Sequence, residues 1–492
     1  MGKGVRFLVL ALALVVCYGV TVTMGFREEK EWEREGGHRH RHEEERSFLL
    51  PDSKPVMSSD AGEMRVVQSV SSRIIEKPLH IGFITMEPNT LFIPQYLDST
   101  LILFVRTGEA RVGCIFKDEM VERRLKIGDV FMIPAGSTFY ILNPGEGQRL
   151  HMICSIDPSD SLQLGAFQSF FIGGGIYPQS VLAGFGPETL STALNVSVTN
   201  LTKLFSKQQE GPFVYLTKSH APSVWAKFSQ LEEKDRLNQL KRMIHHQEEE
   251  EEEEEEEDQQ QRASAWSWRK LLDSYFWGVE EDISLKDKKP DSYNIYKSSP
   301  DFKNNYGWSI AVDGSHYKPL KHSGIGIYLV NLTAGSMMAP HVNPRATEYG
   351  IVLRGTGRIQ IVYPNGSLAM DAKVKQGDVF WVPRYFAFCQ IASRTGPFEF
   401  FGFTTSSHKN RPQFLAGSNS LIRILNTPEL AAAFGVSEET IDRIINAQHE
   451  AVILPSPAAA PPDEVEKKKR VKFEAVPKVI KSFGREMILG FD

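Results

Sequence analysis

The strongest constraint on the fold is a segment that the chain contains twice. The heptapeptide GDVFMIP, which begins at Gly128, recurs as GDVFWVP at Gly377. Two further matches keep the same order: VRTG at 105–108 parallels LRG at 353–355, and PETL at 187–190 parallels PEL at 428–430. Three matches in one order indicate an internal duplication. At 492 residues the chain is too long for one ordinary domain, so we expect one type of domain in two copies.

Each copy combines short β-type runs with a helical extension. Close spacing of such runs between turn signals is typical of a β-sandwich or a barrel. The predicted strands are 81–86, 101–106, 110–116, 129–133, 139–142 and 150–156, and then 325–332, 351–353, 358–363, 378–382, 388–391 and 398–404. Helical segments are predicted at 187–190, at 198–205 and from 428 through 448. Ser197 and Ser437 each precede a short amphipathic helix, and we expect them to act as N-caps.

The N-terminus has the pattern of a secretory signal. Lys3 and Arg6 precede an apolar run at 7–16, and small residues favour cleavage after Gly25. A membrane anchor is the alternative, but the run is much shorter than the roughly 20 apolar residues of a spanning helix. We therefore expect a soluble, lumenal mature protein with no membrane partner after cleavage.

Composition divides the rest of the chain. We predict a signal peptide at 1–25, a charged disordered segment at 26–61, a first β-rich domain with its helical arm at 62–230, an acidic low-complexity linker with a short helix (266–277) at 231–300, a second domain with its arm at 301–453, and a Pro/Ala-rich and basic tail at 454–492. The net charge of −5 gives no electrostatic footprint for nucleic acid, so no nucleic-acid partner is expected.

Cysteines are too few to hold the fold together. Cys17 is lost with the signal, which leaves Cys114, Cys154 and Cys389, an odd and sparse set for an oxidising compartment. Cys114 alternates with apolar residues in a predicted strand, which favours a buried free thiol. A Cys114–Cys154 disulfide is the alternative.

Two spaced motifs resemble those of the cupin superfamily. The first motif is a glycine followed by H-x-H, Glu and Gly, and the second copy matches it with Gly335, His341, Asn343, Glu348 and Gly355. The other motif is G-x5-P-x-G-x2-H-x3-N, and the first copy follows it with Gly128, Pro134, Gly136, Phe139 and Asn143. The resemblance implies an all-β fold with helical extensions, built from duplicated cupin barrels of the double-stranded β-helix, or jelly-roll, type.

Most of the metal-ligand positions of these motifs hold unsuitable residues. Residues two apart on a strand face the same way, so an H-x-H pair projects two imidazoles into the barrel mouth, where a Glu and a third His complete a site for manganese, iron, copper or zinc. The positions hold Gln95, Leu97, Leu101 and Phe139 in the first copy and His341, Asn343, Glu348 and Phe388 in the second. Catalytic metals normally have three protein ligands.

We therefore expect no catalytic residue and no cofactor. His341 and Glu348 would hydrogen-bond each other or water, and weak adventitious metal binding there, beside Asn343, is the minor alternative. Cys389 would point away from the face of Phe388 unless the strand were bulged. The chain also lacks a P-loop, a G-x-S-x-G elbow and paired C-x-x-C motifs.

Four sequons are candidate glycosylation sites in a lumenal protein. Asn365 is the most favoured because it lies in a Pro-Asn-Gly hairpin turn, and Asn331 follows. Asn195 and Asn200 lie in the helical repeat, where Asn195 aligns with Gly435 of the second copy.

With its signal peptide, duplicated barrels and repeated arms, the chain resembles the vicilin-type (7S) seed storage globulins. The resemblance implies a nutrient reservoir that enters the secretory pathway, assembles into homotrimers through its helical arms and is deposited in protein storage vacuoles. One rival hypothesis is a metalloprotein similar to the single-barrel germins. Another is a module that binds a sugar or a small acid, with Trp381, Tyr385 and Phe386 lining its pocket.

Overall fold

The computed structural model describes residues 48–69, 78–116, 119–145, 147–158, 165–216 and 291–462. In these ranges the chain forms two β modules, each made of two antiparallel sheets. The strands of the first part are β1 (Lys54–Ser59), β2 (Gly62–Val67), β3 (His80–Met86), β4 (Thr90–Leu97), β5 (Leu101–Thr107), β6 (Ala110–Phe116), β7 (Glu119–Leu125), β8 (Asp129–Ile133), β9 (Phe139–Asn143), β10 (Leu150–Ile156), β11 (Ser169–Phe171), β12 (Phe213–Tyr215) and β13 (Tyr293–Asn294).

The strands of the second module are β14 (Phe302–Asn304), β15 (Gly307–Val312), β16 (Gly326–Leu332), β17 (Ser336–Met338), β18 (His341–Val342), β19 (Glu348–Arg354), β20 (Thr356–Val362), β21 (Leu368–Lys375), β22 (Val379–Val382), β23 (Ala387–Ala392), β24 (Phe398–Thr404), β25 (Gln413–Phe414) and β26 (Ile453–Pro455). In the first module the sheet orders are β1-β2-β3-β10-β5-β8-β13 and β11-β4-β9-β6-β7. In the second they are β14-β15-β16-β24-β19-β22 and β21-β20-β23-β17-β26. The predicted duplicated cupin architecture is confirmed.

The repeated Gly-Asp turn has the same geometry in both modules. The amide of Gly128 donates to the carbonyl of Val105 at 2.9 Å, as that of Gly377 does to Val352. Both glycines have positive φ angles, 88° and 94°, which glycine adopts without a Cβ clash. The repeated motif therefore encodes a specific turn at the start of β8 and of the strand that matches it, β22.

Short helices follow each barrel, and one further helix, Leu320–Ser323, lies between β15 and β16 of the second barrel. They are α1 (Pro187–Ala193), α2 (Val198–Phe205), α3 (Leu320–Ser323), α4 (Leu421–Ile424), α5 (Pro428–Phe434) and α6 (Glu438–Asn446). The predicted N-caps are confirmed, because the Ser197 side chain accepts from the Asn200 amide and that of Ser437 from the Thr440 amide. The helical segment predicted at 428–448 consists of two helices, because Gly435, with φ of 65°, ends α5 before Ser437 caps α6.

Residues ahead of each barrel pair with the other barrel. β13 pairs with β8 of the first module, and Leu49 forms a bridge with Phe380 of β22. Phe48 is buried against Trp381, with ring centroids 5.1 Å apart. For residues 48–61 the predicted disorder is therefore wrong, because Phe48 and Leu49 cover the edge strand β22 of the second barrel and β1 pairs with β2 of the first.

Of the remaining predictions, some concern described residues and others concern residues outside the described ranges. In the predicted linker, residues 291–300 pack on the first barrel through β13 and the buried Ile295, and β26 begins at the predicted domain end and pairs with β17. The predicted signal peptide, residues 231–290 of the predicted acidic linker and the short helix predicted at 266–277 within it lie outside the described residues. Cys114, Cys154 and Cys389 are buried free thiols. None of the described helices is both long and apolar enough to span a bilayer.

Candidate functional site

Strand register identifies equivalent positions in the two barrel interiors. Gln95 of β4 lies opposite Phe139 of β9, as His341 of β18 lies opposite Phe388 of β23. Leu101 pairs with Ile133 in the way that Glu348 pairs with Val382. The positions that the motifs assign to metal ligands are therefore matched by backbone pairing as well as by sequence.

His341 is a buried, neutral imidazole. Its Nδ1 lies 2.8 Å from the carbonyl oxygen of Ala339, and because a carbonyl only accepts, Nδ1 carries the proton and Nε2 is an acceptor. Burial lowers the pKa of His341 to about 4, and the bond to Ala339 opposes that shift. The ring packs against Phe388 at a centroid distance of 4.1 Å, so an aromatic side chain occupies the side from which a further imidazole would approach.

Glu348 is held by Asn343 instead of by His341. The Asn343 side-chain amide donates to one carboxylate oxygen at 2.8 Å, while its own oxygen accepts from the amides of Arg345 and Ala346. Burial raises the pKa of Glu348 to about 7, and the Asn343 hydrogen bond partly opposes the rise. We expected His341 and Glu348 to hydrogen-bond each other or water, and the structure gives each of them a different protein partner, Ala339 and Asn343 respectively.

These residues do not fit a cupin metal. Asn343 turns its NH2 group toward Glu348 and so presents a donor where a ligand would need a lone pair. Phe388 has no donor atom for a metal. Across the residues that the structure describes, no three His, Cys, Asp or Glu side chains come together as a metal-binding group.

A cavity of about 460 Å³ opens beside His341 and Glu348. Three buried polar atoms on its lining residues have no hydrogen-bond partner among the described residues: the hydroxyl of Tyr328, Oε1 of Gln390 and Oδ1 of Asn410. Cys389 belongs to the opposite face of β23, where its thiol contacts Gln360. The cupin motifs do not include Tyr328 or Gln390, so the motif comparison missed both. Alignment of the strand positions in the two copies would have shown that both positions differ, with Gly82 and Ile141 in the first copy, but not that their polar atoms lack partners.

The three aromatic residues proposed to line a pocket do not act together. Trp381 and Phe386 are buried beneath Phe48, so neither ring presents a face to a ligand. Tyr385 is exposed and has a φ of 74°, and the Arg384 guanidinium lies 4.7 Å from its ring centroid. The surface suggested for stacking is reduced to this one ring.

The four sequons lie in different local structures. Asn365 is exposed in the β20–β21 turn, where its side chain accepts from the Ser367 amide. Asn331 is half-buried in β16, and Asn200 is exposed in α2. Asn195 is exposed with φ of 48°, the left-handed conformation that Gly435 has in the other arm. The choice among the sequons stays a prediction.

Comparisons with known proteins agree with this architecture. The model of the family described as Cupin matches residues 48–186 and 293–442. A vicilin-like seed storage protein of Arabidopsis thaliana is 59% identical over 423 residues, covering 84% of this chain and 81% of the relative. Another from the same plant is 31% identical and covers 85% and 75%. The crystal structure of hazelnut (Corylus avellana) vicilin matches with a TM-score of 0.64 at 22% identity, covering 83% of this chain and 99% of that one.

Proposed function

The chain belongs to the cupin family and, within it, to the vicilin-like seed storage proteins, and from this premise we propose a non-catalytic storage protein that assembles into homotrimers and accumulates in protein storage vacuoles. The carrying observation is that both barrels keep the cupin backbone register but lack its ligand set. In the first barrel, the positions of the cupin metal ligands hold Gln95, Leu101 and Phe139. In the second, Asn343 and Phe388 leave only His341 and Glu348, too few for a catalytic metal.

The proposed trimer rests on the helical arms. In the second arm, Ile441 and Ile445 of α6 pack with Ala431 of α5, while Phe434 of α5 and Ile444 of α6 remain exposed. Apolar side chains exposed along both arms are Leu194, Val196, Val198, Leu204, Ile424, Leu425, Phe434, Val436 and Ile444. Many exposed apolar side chains on short helices favour contact with another protein surface, here a second copy of the chain.

Assembly is tested by the mass of the purified particle. We expect a trimer in analytical ultracentrifugation and a monomer for the double variant Phe434→Glu/Ile444→Glu, because two charges would have to be buried at the contact. The control is Glu439→Arg, which changes charge at an exposed position of α6 and should leave the trimer intact. A double variant that still sediments as a trimer contradicts the assignment.

The storage role is tested by where and when the protein is present. Immunoblots should find it abundant in the vacuolar fraction of maturing seed, scarce in leaf, and depleted after germination. Equal amounts in leaf would contradict storage.

Metal analysis of native protein separates the germin-like alternative: near-stoichiometric manganese or copper that is lost in His341→Ala would favour that class.

A further inference from the structure

One layer of side chains differs in polarity between the two barrels. Leu101 pairs with Ile156 in the first barrel, and the equivalent pair in the second is Glu348 with Thr404. Two residues beyond Phe139 and Phe388, on the same strand face, the first barrel has Ile141 and the second has Gln390. The apolar members belong to the core of the first module, whereas the polar members line the cavity of the second.

In one pair of matching positions, the two barrels have a glycine on different strands. In the second barrel, the absence of a side chain on that glycine leaves space for a tyrosine hydroxyl. Gly82 pairs with Cys154 in the first barrel, and Tyr328 pairs with Gly402 at the matching position of the second. A Cβ on Gly82 would lie 2.5 Å from the Cys154 sulfur, and one on Gly402 would lie 2.3 Å from Cζ of Tyr328. The Cys154 thiol therefore occupies this space in the core of the first barrel, whereas the Tyr328 hydroxyl occupies it in the polar layer of the second.

Apart from the Tyr328 hydroxyl, which can also donate, the buried side-chain atoms of the cavity lining that lack a partner are hydrogen-bond acceptors. Oε1 of Gln390 and Oδ1 of Asn410 have no partner among the described residues, and Nε2 of His341 is an acceptor because Nδ1 carries the proton. Glu348 receives its side-chain hydrogen bond on one oxygen only. Gln390 and Glu348 are nearly fully buried, and buried acceptors are costly unless a donor reaches them.

We propose that this second-barrel cavity binds the ammonium group of a small amine, a function separate from storage. An alkylammonium ion supplies three hydrogen-bond donors, and its positive charge compensates the negative charge of the buried Glu348 carboxylate. A carboxylate ligand brings no donor and is repelled by Glu348. A neutral alcohol leaves the Glu348 charge uncompensated, and a metal ion finds too few ligands.

The remaining lining suits the carbon chain of such a ligand. Ile310, Val312, Val330 and Met338 form an apolar wall, and Phe302 and Phe414 add aromatic rings, which favour a nearby cation. The charged and titratable rim is mixed in sign and consists of Asp301, Asp313, His316, His408, Lys409 and Arg411. A cavity of about 460 Å³ accommodates a small organic molecule.

Isothermal titration calorimetry of the purified full-length protein at pH 8 tests the proposal with probes of matched length. Butylamine should bind, while 1-butanol, butyrate and glucose should give no heat at about 10 mM, a concentration that detects millimolar affinity. Norvaline, which carries both an ammonium and a carboxylate, distinguishes two sources: binding of butylamine alone indicates a free amine, and binding of norvaline as well indicates an amino acid.

Variants then locate the site. Glu348→Gln should weaken butylamine binding by at least about tenfold and Gln390→Leu by about threefold, with folding checked by circular dichroism. Gln95→Leu, a change of an equally buried glutamine in the first barrel, is the matched control and should leave affinity unchanged. No heat with butylamine or norvaline, binding of butyrate, 1-butanol or glucose, or full affinity in Glu348→Gln overturns the proposal. Each of these results leaves the abundance test of storage unaffected.

Discussion

The two barrels have the same strand arrangement, but their interiors differ in polarity. Gln95, Leu101 and Cys154 lie in the first barrel at the positions of His341, Glu348 and Gly402 in the second. The first barrel is filled by an apolar core, and the second keeps a polar layer around a cavity. An unpartnered buried polar group costs about 1–3 kcal/mol, so polarity in the second barrel opposes its stability.

The pair Leu101 and Glu348 gives the largest expected effect. Leu101→Glu should destabilise the first module by about 4 kcal/mol at pH 8, because it buries a carboxylate where neither a countercharge nor an Asn343 equivalent is present. At pH 5 the loss should shrink, since the new side chain can fold in its neutral form. Urea denaturation followed by circular dichroism at both pH values measures the difference.

Leu101→Met is the control for this change because it nearly conserves volume and polarity, and it should cost less than about 1.5 kcal/mol. If Leu101→Glu cost no more than Leu101→Met at pH 8, the first barrel would tolerate a charge as the second does. The contrast between their interiors would then have no energetic meaning.

The sequence predicts those features of the fold that depend on local pattern. The duplication, the strands at 110–116, 129–133, 150–156 and 398–404, and the caps Ser197 and Ser437 all follow from periodicity or turn chemistry. β4 was missed because Pro94 interrupts its strand pattern, and the register there shifts between Phe92 and Gln95. Proline in a strand is tolerated at such irregularities.

The candidate site is less visible in the sequence. Motif spacing identifies His341, Asn343 and Glu348, but it does not show that Asn343 binds Glu348. The orphan atoms of Tyr328 and Gln390 depend on how several strands converge, which no local pattern encodes. The order of Phe48 and Leu49 was missed for the same reason, because both residues pack against the distant second barrel.

Opposite pH dependences in two variants give the next largest effect. Glu348 has a folded pKa of about 7 against a usual 4.5, so its contribution to stability is present below pH 4.5 and lost as pH rises to 7. His341 has a folded pKa of about 4 against 6.5, so its contribution is present above pH 6.5 and lost as pH falls to 4. Each contribution is up to about 3 kcal/mol, and between pH 4.5 and 6.5 they oppose each other.

Single variants separate the two contributions. Glu348→Gln leaves the histidine, so its free energy of unfolding should rise from pH 4 to 6.5. His341→Gln, which copies Gln95 of the first barrel, leaves the glutamate, so stability should fall from pH 4.5 to 7. Urea titrations referenced to the double variant cancel the background from other groups. Parallel profiles for the two single variants would rule out the assigned charge states.

The smallest effect concerns a turn that the barrels share. Gly136 and Tyr385 occupy the same motif position, with φ angles of 78° and 74°, so the backbone conformation survives where the glycine does not. Left-handed backbone costs a non-glycine residue about 1 kcal/mol or more. Tyr385→Gly should therefore stabilise the second module by about 1 kcal/mol, and Tyr385→Asn by less. Gly136→Ala should cost a similar amount, because a Cβ there meets no atom within 4 Å and only backbone strain is added. Melting temperatures of the three variants measure the effect. If Tyr385→Gly were destabilising, the contact of the tyrosine ring with Arg384 would stabilise the fold by more than the left-handed backbone costs. This surface of the second barrel would then have a structural role that the first barrel lacks.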